Sequence, residues 1–328
     1  MLGKVLLVDK NDDALAGGLT TLGYQCIEAY DWSYEQVQQH LGEYEGMVIR
    51  SRIKVDKALL EAGTQLKWIG RVGAGMENID VVFAESKGIA CLNAPEGNRN
   101  AVAEQALGML LSLFNNLRRA DAEVRSGIWK RESNRGVELD SKTVGIIGFG
   151  FMGSWFARKL RSFDIKVLAH DKYKSEFLIL NSEFLMEGND YSIEEASLET
   201  VQQNADVISL HLPETEETYH YIDDAFIEAC VKPFYLINTA RGKNVDTAAL
   251  IRGLDSGKVL GACLDVLEYE KASFSNLFDR DELPEPLQKL LADERVILSP
   301  HVAGWTHESN RKLAETIVRK VGELHASE

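Results

Sequence analysis

The chain reads as an α/β protein built from two doubly wound parallel sheets. Three observations predict it. Short apolar or β-branched runs alternate with helical patterns almost from end to end, the runs fall into two series parted by a long helical stretch, and 328 residues suffice for about two domains with cores of their own. Apolar residues make up 45% and charged residues 27%, the mixture of a folded globular chain and not of a disordered one.

In chain order the first series of expected strands is Lys4 to Val8, Gly46 to Arg50, Trp68 to Val72 and Ile89 to Leu92. The second is Thr143 to Ile147, Lys166 to Ala169, Asp206 to Leu210, Tyr235 to Asn238, Gly261 to Val266 and Val296 to Ser299. Between them Ala101 to Leu117 has helical spacing with apolar residues on two faces, Leu107, Leu110, Leu111, Phe114 and Leu117 on one and Val102, Ala106, Met109 and Leu113 on the other. A helix apolar on both faces is buried on both, so it is expected at a domain or subunit contact, and a homodimer is expected with it. Ser126 to Lys142 reads as a connecting loop. Glu308 to His325 carries Leu313, Ile317, Val321 and Leu324 at helical spacing and is expected to pack back on the first domain.

Charge and cysteine usage exclude several function classes. Lys plus Arg number 36 against 51 Asp plus Glu, a formal net charge of −15, the wrong sign for a nucleic-acid or anionic-membrane binder. An anionic substrate would therefore need a local basic patch. Cys26, Cys91, Cys230 and Cys263 form no CxxC pair, no metal site is expected, and buried free thiols in a reducing compartment are the reading. The apolar run Val5 to Val8 stops at Asp9, too short for a signal segment, and no stretch approaches a membrane span, so a cytoplasmic protein is expected.

Gly148-Phe149-Gly150-Phe151-Met152-Gly153 fits GxGxxG directly after a strand and at the start of the helical run Trp155 to Leu160, and the next strand ends in Asp171. That context is the dinucleotide fingerprint of a Rossmann fold: the glycines allow a tight turn and close approach of a pyrophosphate to a helix N-terminus. Asp171 would accept ribose hydroxyls and repel a 2′-phosphate, which favours NAD over NADP. Gly73-Ala74-Gly75 also joins a strand to a helix but lacks the acidic residue; its N–H groups suit a carboxylate.

Three polar residues stand at strand ends in the second half: Arg241, Glu270 and His301. Ligands of such sheets sit at the carboxyl ends of the strands. An Arg to grip a carboxylate and carbonyl oxygen, a His to exchange the hydroxyl proton, and a Glu to hydrogen-bond the imidazole suit oxidation of a 2-hydroxy acid.

Over essentially its full length the sequence resembles the D-isomer-specific 2-hydroxyacid dehydrogenases. The resemblance rests on Val72 to Gly75, Asn93-Ala94-Pro95 with Gly97-Asn98, Val102-Ala103-Glu104, the glycine fingerprint, His211-Leu212-Pro213 with Thr215 and Thr218, Asn238 to Gly242, Leu264-Asp265-Val266 and Ser299-Pro300-His301. It implies an NAD-binding Rossmann domain over 101–300 inserted into a flavodoxin-like substrate domain of 1–100 and 301–328. It implies Arg241, Glu270 and His301 as the catalytic trio. It implies cofactor contacts from Gly148, Gly150, Phe151, Met152, Gly153, Asp171, His211, Leu212, Pro213, Thr218, Thr239, Ala240, Arg241, Asp265 and His301, with Asp265 on the nicotinamide carboxamide. Substrate contacts are implied for Arg50, Ser51, Arg71, Val72, Gly73, Ala74, Gly75 and Arg241.

The sequence also departs from the family. Lys271 stands where a Pro usually follows the catalytic Glu, an insert runs from Ala272 to Pro286, and Phe151-Met152 replace a basic residue and an Ile. Glu268 is a rival for the acidic role; the 29-residue spacing of Glu270 from Arg241 is the one the family keeps. Within the family Arg50-Ser51-Arg52-Ile53-Lys54 and Arg71 look most like phosphoglycerate dehydrogenases. Oxidation of 3-phospho-D-glycerate in serine biosynthesis is therefore the first expectation, in a short form without the regulatory domain longer relatives carry. A glycerate/hydroxypyruvate or other D-2-hydroxyacid reductase is the second, and an NAD-binding corepressor-like scaffold the third.

Overall fold

The computed structural model describes residues 2–173, 193–270 and 283–326. It divides into two compact units, Met1–Arg99 with Trp305–Glu328, and Asn100–Gly304. Among the described residues no helix is long and apolar enough to cross a membrane.

The first unit holds β1 (Lys4–Leu7), β2 (Gln25–Glu28), β3 (Gly46–Ile49), β4 (Trp68–Arg71) and β5 (Ala90–Leu92), all parallel, in the order β2-β1-β3-β4-β5. This is the flavodoxin-like order. Successive residues of β1 face opposite sides: Val5 and Leu7 join a core with Leu15, Leu19, Trp68, Leu313, Ile317 and Val321, while Leu6 joins Val37, Leu41, Met47, Ile49, Leu59 and Ile69. A strand buried on both faces is apolar throughout, which is why these strands read as continuous runs. The edge strand β2, half-exposed along its length, carries no such run and has no strand signal in the sequence. Asp12, Ser33, Asp56 and Asp80 cap the four short helices through their side chains, each removing an orphan N–H. The C-terminal helix His307–Ala326 packs within this unit, where Gly18 and Gly70 make room for Val318 and Ile317.

The second unit holds seven parallel strands: β6 (Thr143–Ile147), β7 (Lys166–His170), β8 (Ile193–Glu195), β9 (Val207–Leu210), β10 (Phe234–Asn238), β11 (Val259–Leu264) and β12 (Val296–Leu298). Their order, β12-β11-β10-β9-β6-β7-β8, is the doubly wound Rossmann arrangement, with the chain reversing direction across the sheet between β6 and β9. Both α/β sheets of the expected fold class are thus present. The short, largely exposed edge strand β8 is an addition to the strands the sequence predicts, since three residues with one side in water carry no apolar run.

The expected helix Ala101 to Leu117 proves to be two. One runs Pro95–Phe114; Asn116 then takes a left-handed conformation, and Leu117–Arg125 forms a second helix. Ala103, Ala106, Met109, Leu110 and Phe114 are buried in the unit's own core, with Leu107, Leu111 and Leu113 packed against it. Its two apolar faces are therefore met largely by its own unit. The exposed apolar side chains lie farther on, at Leu117, Val124, Ile128 and Trp129. Of the cysteines, Cys230 and Cys263 are buried, Cys26 and Cys91 only partly, and all four are free.

Candidate active site

The crevice between β6 and β9 is shaped by glycine. Gly148 has φ +88°, and a Cβ there would lie 2.5 Å from the His211 carbonyl oxygen at the end of β9. A Cβ on Gly153 would lie 2.1 Å from the Gly148 carbonyl oxygen. Gly150, at the N-cap of the helix Phe151–Leu160, is different: open space lies where its Cβ would be. Two glycines thus close the turn, and the third leaves an approach to a helix N-terminus, where the dipole and orphan N–H groups favour a phosphate. Phe151 is exposed and Met152 half-buried, so the approach is lined by backbone and apolar side chains. Asp171, following β7, accepts from Phe149 N–H at 2.6 Å and Tyr173 N–H at 2.8 Å. The acidic residue therefore braces the glycine turn through its own carboxylate.

The other residues implied for the cofactor divide in two. Thr239 Oγ1 and His211 Nδ1 are buried polar atoms with no partner in the protein, the kind of atom a bound polar group satisfies. Burial pushes the His211 imidazole down to about 3, so it is neutral, and its Nε2 lies 2.9 Å from Ser209 Oγ. Thr218, by contrast, donates its hydroxyl to the Pro213 carbonyl at 2.7 Å and accepts from Thr215 N–H at 2.9 Å, which closes the loop after β9. Leu212 packs against the core and Ala240 is buried.

Arg241, Glu270 and His301 sit on the loops after β10, β11 and β12. His301 has φ +54°, an uncommon conformation for a residue with a side chain, and its N–H donates to the Asp265 carbonyl at 2.7 Å. Asp265 is buried, and its carboxylate accepts from Ser299 Oγ at 2.5 Å, Val302 N–H at 2.9 Å and Ala303 N–H at 2.8 Å. These bonds hold the strained turn that presents His301. The role implied for Asp265, holding a carboxamide, must share a carboxylate already engaged three times. His301 Nδ1 lies 3.1 Å from Glu270 Oε1, while Glu268 pairs with His220 instead, at 2.8 Å. The rivalry between the two glutamates is thereby a matter of two separate pairs. Arg241 donates Nη1 to the Ala240 carbonyl at 2.7 Å, and the adjoining Gly242 lies so close to the β11 loop that a Cβ would meet the Leu267 carbonyl oxygen at 2.0 Å.

In the first unit Arg50 is held on several sides: Nη1 donates to Asn310 Oδ1 at 3.0 Å, the guanidinium stands 4.3 Å over the Trp305 ring, and its backbone N–H donates to Asp9 at 2.6 Å. Burial lowers its pKa against the opposing pull of Asp9. Ser51 is half-buried beside it. Arg52, one of the cations considered for an anionic ligand, donates instead to the carbonyls of Trp32, Val8 and Ala29 at 2.6, 2.7 and 3.1 Å, so it ties loop ends together. Lys54 is exposed. Gly73 lets the Arg71 guanidinium lie over it, since a Cβ would sit 1.3 Å from Nη1. Its own N–H is bonded to the Arg71 carbonyl at 2.8 Å, which removes it from the N–H set expected to hold a carboxylate and leaves Ala74 and Gly75. Val72 is core. Lys271 and the insert through Glu282 lie outside the described residues.

Among the described residues no group of His, Cys, Asp or Glu is arranged to hold a metal. Residues 107–303 match the family described as D-isomer specific 2-hydroxyacid dehydrogenase, NAD binding domain. The chain is 35% identical over 287 residues to a hydroxypyruvate reductase of Thermotoga maritima, covering 88% of this chain and 87% of that one. It is 34% identical over 318 residues to a D-3-phosphoglycerate dehydrogenase of Archaeoglobus fulgidus, covering 97% of this chain but only 56% of the relative's length. A D-lactate dehydrogenase from Aquifex aeolicus, solved with NAD and lactic acid, superposes with a TM-score of 0.79 at 29% identity, covering 99% and 96% of the two chains. With the glycine turn, the Rossmann strand order and these likenesses together, the chain belongs to the D-isomer specific 2-hydroxyacid dehydrogenases, oxidoreductases that use NAD.

Proposed function

We propose that the chain interconverts 3-phospho-D-glycerate and 3-phosphohydroxypyruvate, the step that commits carbon to serine, and that Arg241, Glu270 and His301 carry the chemistry. NAD, when bound at the glycine turn, supplies the hydride acceptor for oxidation and, reduced, the donor for the reverse reaction. The observation that carries the reading is the His301–Glu270 pair: with Nδ1 turned to the carboxylate, the imidazole is oriented and its positive form favoured, so Nε2 would take the hydroxyl proton or return it. Arg241 would grip the carboxylate and the oxo oxygen through its fork, holding the carbonyl polarised as the proton arrives. Ala74 and Gly75 N–H groups and Arg71 would hold the substrate's carboxylate, and Arg50 its phosphate. The restrained Arg50 guanidinium supports a doubly charged ligand, because its geometry is set before the ligand arrives. The 34% identity to a phosphoglycerate dehydrogenase supports the same choice.

The rival reading, a hydroxypyruvate reductase, draws on the 35% identity to that relative. NADH oxidation measured with phosphohydroxypyruvate, hydroxypyruvate, glyoxylate and pyruvate separates the two. The proposal expects the highest kcat/KM for the phosphorylated acid, and Arg50→Met to raise its KM about tenfold or more while leaving hydroxypyruvate nearly unchanged. Equal effects on both acids favour the reductase, and no turnover of any 2-oxo acid favours a binding scaffold. His301→Ala is expected to lower kcat by about 10²- to 10⁴-fold with NADH affinity nearly constant. Four free cysteines support a reducing, cytoplasmic setting. Exposed Leu117, Val124, Ile128 and Trp129 support a homodimer through the helix Leu117–Arg125 and the turn after it. Sedimentation at micromolar concentration giving 36.6 kDa would remove the dimer.

A further inference from the structure

Two residues before Glu270 stands a second carboxylate with a histidine of its own. Glu268 Oε1 lies 2.8 Å from His220 Nε2, and Oε2 accepts from the Thr247 backbone N–H at 3.0 Å. These three residues come from three loops at the carboxyl edge of the second sheet: His220 follows β9, Thr247 opens the helix Thr247–Asp255 after β10, and Glu268 follows β11. Burial works to raise the Glu268 carboxyl, but hydrogen bonds from Thr247 and the approach of His220 outweigh it and hold it below the ordinary glutamate range. The group is ionised at neutral pH, and its acceptor bonds are strong ones.

The β9 and β10 loops are joined by backbone bonds, His220 N–H to the Lys243 carbonyl at 2.7 Å and Ile222 N–H to the Asn244 carbonyl at 2.9 Å. Tyr219 stacks on the His220 ring with centroids 4.0 Å apart, which restrains that ring. The β11 loop is a tight turn, closed by Glu270 N–H to the Leu267 carbonyl at 3.0 Å and by Leu267 N–H to Glu270 Oε2 at 3.4 Å. In so short a turn the place where Glu268 is anchored sets the place of Glu270, whose other oxygen meets His301. Gly242, next to Arg241, presses on the same turn at Leu267 and Glu268.

We propose that Glu268 is a positioning residue, anchored by His220 and Thr247 so that the turn holds Glu270 against His301. The proposal rests on the reading of His301 and Glu270 as the reacting pair. It is tested on the whole chain with E268A, E268Q and H220A, read by steady-state reduction of the best 2-oxo acid, by NADH titration, and by the His301 ring resonances in ¹⁵N-labelled protein, which need no turnover. E268A is expected to lower kcat by about 10- to 100-fold with the KM for NADH within about twofold, and to move the His301 ring resonances. E268Q keeps a carbonyl for Thr247 N–H and an amide for His220, so it is expected to recover most of kcat and the wild-type ring resonances. H220A, with the Thr247 anchor intact, should fall between them. Wild-type kcat and unmoved His301 resonances in E268A, with only a lower Tm, would overturn the proposal, as would an E268Q protein as slow as E268A. If E268A does not fold, H220A decides by the same two readouts. Wild-type turnover in E270Q and H301A would instead remove the reacting-pair reading, and the resonances would still report whether Glu268 sets the surroundings of His301.

Discussion

Gly242→Ala tests how tightly the loops after β10 and β11 are coupled. The added methyl would lie 2.0 Å from the Leu267 carbonyl oxygen, 2.2 Å from its carbon and 2.7 Å from the Glu268 nitrogen, against 3.4 Å for ordinary contact. All three are backbone atoms, so no side chain can swing aside to relieve the contact. One loop must retreat by more than an ångström, which separates Arg241 from the turn carrying Glu270. A misplacement of about 1 Å costs on the order of 10²-fold in rate, or about 2.7 kcal/mol of transition-state stabilisation. Overpacking should also lower stability by about 1–3 kcal/mol. The assay is kcat for 2-oxo acid reduction beside NADH titration and thermal unfolding, with NADH affinity expected to change by less than about fivefold. Gly108→Ala serves as the control, because it sits in the helix Pro95–Phe114 with open space around its Cβ position and should be neutral or slightly stabilising. A Gly242→Ala protein with the kcat of wild type would refute the coupling.

Two further outcomes follow from groups at the crevice. Asp171→Ala removes both the acceptor of the Phe149 N–H and a negative charge, so NADH binding should weaken by about tenfold or more while the gap to NADPH narrows; equal use of the two cofactors by the wild type would defeat this reading. His211, lowered to about 3 by burial, leaves the unfolded chain binding more protons between there and its ordinary 6.5. Stability should therefore fall as pH drops below 6.5, by at most about 1.4 kcal/mol per unit from this residue. His211→Gln should flatten that part of the profile in urea titrations at pH 7, 6 and 5, and an unchanged slope would show that other groups set it.

Much of the fold was legible in the chain because its signals are local. Strands buried on both faces must be apolar throughout, so β1, β3, β4, β6, β9 and β10 read as runs. The glycine turn was legible for the same reason, since a positive φ at Gly148 and the close approaches at Gly148 and Gly153 are demands a single position must meet. Edge strands make no such demand: Gln25–Glu28 and Ile193–Glu195 are held by pairing on one side and are half in water. Neither shows a period.

The sequence by itself determined the two parallel sheets, the dinucleotide turn with its aspartate, and the strand ends that bear Arg241, Glu270 and His301. Tertiary structure alone decided which partner each charged group takes. Glu268 and Glu270 are two residues apart and chemically alike, yet one faces His220 and the other His301. Arg50 and Arg52 are as similar, but Arg52 is taken up by three carbonyls while Arg50 is held between Asn310 and Trp305, some 255 residues along the chain for the latter. The reason is physical: secondary structure follows from interactions a few residues long, whereas hydrogen-bond and charge partners are chosen by distance in space, which the chain acquires only once its sheets have formed.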